Sequence, residues 1–122
     1  MEATAPATLS SHDAIAQLAA HYTLRDPDAI ADFVRAHPEV VGPLLEAVEV
    51  LPRYFGPGAP LVLSVERDRE ARDHTELVVA IGTELEADAA LACLARFDER
   101  WWRDAPPPVA RVLLFTLEFR ER

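Results

Sequence analysis

Lysine is absent from this 122-residue chain, cysteine occurs once, at Cys93, and there are only four glycines. A single cysteine excludes an internal disulfide, and its place within an apolar helical pattern reads as a small buried side chain, with no histidine near it in sequence to make it a nucleophile. The four glycines form no phosphate-cradling loop of the Walker or dinucleotide type, which argues against nucleotide binding. No apolar run approaches the roughly 20 residues that cross a bilayer, and no basic stretch leads into an apolar one near residue 1. The expectation is a cytoplasmic protein with no membrane partner.

With lysine missing, all 12 basic residues are arginine, and they stand against 21 acidic residues for a net charge of -9. Alanine and proline are also frequent, a composition that a GC-rich coding sequence produces without any demand for arginine chemistry. A field of this sign repels a phosphate backbone and argues against direct binding of DNA or RNA. It favours solubility, and with it rapid encounter with a basic protein. Half of the residues are hydrophobic and 27% are charged, the balance of an ordinary globular domain, and the length leaves room for one core.

Residues 1–9 lack periodicity and read as a flexible tail ahead of a single domain spanning 10–122. Ser10-Ser11-His12-Asp13 offers a cap and a first-turn acid for a helix through Tyr22, with Ile15, Leu18 and Ala19 on its apolar side. Asp26-Pro27 starts a second helix with Ile30, Phe33 and Val34 facing inward, and His37-Pro38 stops or kinks it. Val41, Leu44, Leu45, Val48 and Leu51 form a third stripe, extended by Phe55 up to Gly56-Pro57-Gly58.

At Leu61 the period changes to two. Leu61, Leu63 and Val65 predict a strand, the charged segment 67–75 a solvated loop, and Leu77, Val79 and Ile81 the inner face of a second strand. Thr83-Glu84-Leu85-Glu86 has the spacing of a capping box. The following helix is expected to run to about Arg103, with Ala87, Ala90, Leu91, Leu94, Phe97 and Trp101 at core spacing, until Asp104 to Pro108 end it. A last strand, Arg111 to Phe119, is apolar on both faces, which suggests a central position or a covered second face. The expected fold is α+β, N-terminal helices followed by β-β-α-β in a small, mainly antiparallel sheet. A right-handed crossover would set the three strands in the order 2-1-3. So small a sheet exposes its edges, which makes oligomerisation a physical expectation.

Little points to catalysis. His12, His21, His37 and His74 include no pair at the helical metal spacing, so no metal and no cofactor are expected. Carboxylate pairs such as Glu84 with Glu86, or Asp98 with Glu99, need a pocket to shift one pKa, and the sequence reveals none. The informative stretch is Phe97-Asp98-Glu99-Arg100-Trp101-Trp102. Trp101 continues the core stripe, whereas Trp102, about 100° round a helix, falls off it beside Asp98 and Arg103. Trp102, Asp98, Arg103, Trp101 and Glu99 are therefore the candidate partner-binding residues, tryptophan and arginine being enriched where interfaces concentrate their energy.

The order Ile30-Ala31-Asp32-Phe33, His37-Pro38-Glu39, Leu44-Leu45-Glu46-Ala47, Tyr54-Phe55-Gly56, the Phe97 to Trp102 run and Leu117-Glu118-Phe119 resembles a group of small, mostly uncharacterised bacterial proteins. Their acidic helix likewise ends in two tryptophans, and the resemblance covers roughly residues 28 to 119. It implies an antitoxin-like component of a two-gene toxin–antitoxin module, and it brings no catalytic residues with it. The leading expectation is thus a non-enzymatic subunit that binds and restrains a more basic protein, one encoded nearby. The alternatives are a ligand-binding or enzymatic module with His37, Tyr54 or the carboxylates at a pocket mouth, and a homo-oligomer joined through Trp102 and the last strand.

Overall fold

The helix starts and proline stops legible in the chain recur in three dimensions, above one face of a four-stranded sheet. The computed structural model describes residues 11–67 and 74–120. The tail expected at 1–9 and most of the charged loop lie outside the described residues. The elements are α1 (Ser11–Ala19), β1 (Thr23–Leu24), α2 (Pro27–Ala36), a 3₁₀ turn (Pro38–Val40), α3 (Val41–Val50), α4 (Pro52–Phe55), β2 (Leu61–Arg67), β3 (Thr75–Thr83), α5 (Ala87–Arg100), a 3₁₀ turn (Trp102–Asp104), α6 (Pro107–Ala110) and β4 (Leu113–Phe119). Among them no helix is long and apolar enough to cross a membrane.

α2 begins where Asp26-Pro27 predicts. The Asp26 side chain accepts a hydrogen bond from the Ala29 N–H at 3.2 Å, and Pro27 occupies the first turn, where a missing N–H costs nothing. Ile30, Phe33 and Val34 are buried, and the His37 N–H closes the helix on the Phe33 carbonyl at 2.8 Å before Pro38 redirects the chain. α3 buries Leu44, Ala47 and Val50, and Leu51 after it, and α4 ends at Gly56, whose φ of 87° suits a residue without Cβ.

α1 stops short of the expected end. Tyr22 leaves the helix, is 3% exposed, and its hydroxyl donates to the Leu44 carbonyl at 2.6 Å, tying the chain before β1 to α3. Burial pushes this phenol well above the ordinary tyrosine value of 10.0. Because the folded-state pKa is the raised one, the contribution to stability is complete below the unfolded value and is lost as pH climbs towards the folded one. Denaturant titrations are expected to show stability falling above about pH 10, with Tyr22→Phe flattening that alkaline limb.

The strand order corrects two expectations. It is β1-β2-β3-β4, and the sheet is mixed: β2 and β3 are antiparallel, whereas β1 runs parallel to β2 and β4 parallel to β3. The crossover through α5 returns the chain directly beside β3, with Leu77 against Leu113 and Thr83 against Phe119. It does not reach across to β2, whose free side is occupied by Thr23 and Leu24 against Val62 and Leu63. Among the described residues β4 is consequently an edge strand and not a central one, and none of them forms a layer over its second face, where Leu114 is 45% exposed.

The capping box does not form as expected either. Thr83 is held in the ladder by its pairing with Phe119, its hydroxyl accepts the Leu85 N–H at 3.1 Å, and α5 starts only after Glu86.

Leu63, Leu77, Val79, Ile81, Leu113 and Phe115 form the covered face of the sheet and join Leu18, Ile30, Leu44, Leu51 and Phe97 in one core. By strand alternation, Val62, Ala80, Thr116 and Glu118 take the opposite face. There Arg25, just past β1, meets Glu118 of β4 at 3.6 Å, so this ion pair links the two edge strands.

Candidate functional site

The tryptophan pair sits where α5 runs out. Ala90 and Phe97 anchor the helix in the core, and its last regular residue is Arg100. Trp101 departs to φ -134° and ψ -55° while its N–H still reaches the Phe97 carbonyl at 3.0 Å, and Trp102 opens the 3₁₀ turn. This break cancels the helical spacing between the two side chains. Rather than pointing apart, the indoles stack, with centroids 6.0 Å apart and planes 28° apart.

Both rings pack edge-on against Phe115 of β4, Trp102 at 4.9 Å and Trp101 at 6.1 Å, and Trp101 also lies 5.2 Å from the Phe97 ring. Trp102 is therefore half-buried on the core and not free of it. The Trp101 indole N–H donates to the Glu46 carboxylate on α3, which fixes the ring between two helices.

The stacked pair makes one wall of a cleft of about 240 Å³, also lined by Pro43, Glu46, Arg100, Asp104, Ala105 and Pro106. Of the five residues singled out from the sequence, Trp101 and Trp102 line it, whereas Asp98, Glu99 and Arg103 are exposed and lie outside its lining. Sequence reasoning missed Glu46, Arg100 and Asp104. The Asp104 to Pro108 segment was legible only as a helix stop. Glu46 lies 55 residues before Trp101, and no local pattern connects positions so far apart.

In chemical terms the cleft offers indole faces with two carboxylates and a guanidinium at its margin. Such faces attract a cation through their quadrupole, and the carboxylates reinforce that preference. No nucleophile and base face each other here. His37 lies apart, its Nδ1 3.4 Å from Glu39 and its ring 4.7 Å from Phe33, while Tyr54 packs edge-on against Phe97 at 5.9 Å. Neither lines the cleft. Two broader hollows sit at one end of the sheet, one beside Gly82 and Arg120 and one containing Arg25, Val62 and Glu118.

Compared with known proteins, the chain matches no family model, no curated protein and no solved structure.

Proposed function

We propose that this chain is a non-enzymatic protein-interaction subunit, antitoxin-like in that it binds and restrains a more basic partner protein. The observation that carries this reading is the stacked Trp101–Trp102 wall with Glu46 and Asp104 beside it. A guanidinium or ammonium group presented by the partner gains about 0.5–2 kcal/mol from the indole faces and a carboxylate contact in addition. The net charge of -9 supports the same pairing at longer range by steering a basic protein towards the chain. The resemblance to small bacterial proteins with a paired-tryptophan helix end supports the antitoxin-like role. At this cleft a small-ligand site has less support, since its volume of about 240 Å³ lies below the range of roughly 300–1,000 Å³ common to ligand pockets.

Co-expression with the product of the adjacent gene, followed by affinity purification of the tagged chain, tests the proposal. The two proteins are expected to elute together at low salt, and the complex to weaken as salt rises, because charges further apart than about 8 Å are screened at physiological ionic strength. A chain that elutes without the neighbouring product at low salt overturns it.

A further inference from the structure

The carboxylates beside the tryptophan wall hold no cation of their own. One Glu46 oxygen accepts the Trp101 indole N–H, while among the described residues its second oxygen and the Asp104 carboxylate accept nothing. Arg100, on the last turn of α5, shares the cleft with both and pairs with neither. Two acids against one guanidinium leave the margin with a net negative charge, the same sign as the -9 of the whole chain. The Trp102 indole N–H likewise has no acceptor among the described residues. In the free chain water serves these exposed or half-buried groups. What the cleft selects is therefore the ligand that replaces water on all of them at once.

We infer that the cleft takes a single arginine side chain of a partner protein, in preference to lysine. The inference rests on the partner-binding reading above and names the chemistry of its anchor. A volume of about 240 Å³ holds one long side chain, and the sign of the margin requires a cation. The choice between the two cations follows from the geometry of the wall. An indole N–H lies in the plane of its ring, so the Glu46 oxygen that accepts it sits at the edge of Trp101 and not over its face. A guanidinium stacked on the indole surface keeps its five N–H donors in its own plane, directed outwards to the ring edge, where the second Glu46 oxygen and Asp104 can accept them. Stacking and ion pairing are then satisfied by one pose. A lysine ammonium is a compact, strongly hydrated charge, and it gives up the ring face to reach the carboxylates or the carboxylates to sit over the face. The open Trp102 N–H finds its acceptor in a backbone carbonyl next to the inserted arginine. Arg100 opposes the incoming charge, and its removal should tighten the site.

Both tryptophans of the chain line the cleft, so their fluorescence reports its occupancy directly. The full chain is titrated at fixed ionic strength with acetylated and amidated Gly-Arg-Gly, Gly-Lys-Gly and Gly-citrulline-Gly, the last of which keeps a planar head without its charge. The arginine peptide is expected to saturate the signal at millimolar concentration, and the other two to bind about fivefold or more weakly. Asp104→Asn and Glu46→Gln keep an acceptor oxygen and remove only the charge; each is expected to weaken the arginine peptide about threefold with an unchanged Tm. Arg100→Gln is expected to strengthen it about twofold. Equal affinity for the arginine and lysine peptides, no saturable change up to about 50 mM, or tighter binding of Gly-Glu-Gly overturns the inference. Selective binding of the arginine peptide by a chain that captures no product of the adjacent gene supports the guanidinium site and overturns the antitoxin-like reading. A complex with that product, formed by a chain that binds arginine and lysine peptides alike, overturns the site and supports the reading.

Discussion

Replacing Phe97 with alanine is expected to lower the unfolding free energy by about 3–5 kcal/mol, the usual cost of emptying a fully buried aromatic site. Phe97 is 0% exposed and stands at the centre of the aromatic cluster, with ring centroids 5.0 Å from Phe115, 5.2 Å from Trp101 and 5.9 Å from Tyr54. These rings belong to α4, to β4 and to the turn after α5, so the truncation leaves a void among three elements that cannot all close over it. For a domain of this size each kcal/mol corresponds to roughly 4 °C in Tm, and thermal unfolding followed by circular dichroism is expected to show a fall of about 12–20 °C. The tryptophan emission of the folded variant should move to longer wavelength, because Trp101 loses its support. A Tm within about 3 °C of the parent would contradict this account of the core.

The second large effect concerns binding. Trp102→Ala is expected to weaken the complex with the basic partner by about 2 kcal/mol or more, or roughly 30-fold in Kd, measured by calorimetry. Trp102→Phe should recover part of that loss by restoring an aromatic face above Phe115, which distinguishes a contact role from a merely structural one. Asp98→Ala and Glu99→Ala, both outside the cleft, are expected to change Kd by less than about threefold, an effect confined to screened surface charge. Equal losses at Trp102, Asp98 and Glu99 would move the contact from the cleft to the exposed flank of α5.

Local signals carried most of the element boundaries. Asp26-Pro27, His37-Pro38 and Gly56 act on the backbone within a few residues, through a cap, a missing N–H and a positive φ, and each ends or begins an element where a reader of the sequence would place it. Leu77, Val79 and Ile81 declared the covered face of β3 by alternation alone. The errors arose where distant parts of the chain decide. β1 is Thr23 and Leu24, too short to show a period, and its presence beside β2 is what leaves β3 as the open neighbour for β4. The same holds for the candidate site. The paired tryptophans were conspicuous, but assigning Trp102 to a free flank assumed a helix continuing to Arg103. α5 ends at Arg100, the turn brings the indoles together, and Glu46 arrives from α3 to complete the wall.

The strand order also bears on how the chain folds. Because β1, β2, β3 and β4 are neighbours in the sheet in the order in which they occur in the chain, the sheet can grow outward from the β2–β3 hairpin. No strand has to be inserted between two that are already paired. One late step is the closure of the α5 crossover, which must bring Leu113–Phe119 back to β3 over the length of a helix, and loop closure of that kind is slower than forming a hairpin. Until it is complete, β3 presents a long unsatisfied edge of Leu77, Val79, Ile81 and Thr83. The interval before β4 docks is therefore the period in which this chain is most exposed to misassembly with its neighbours.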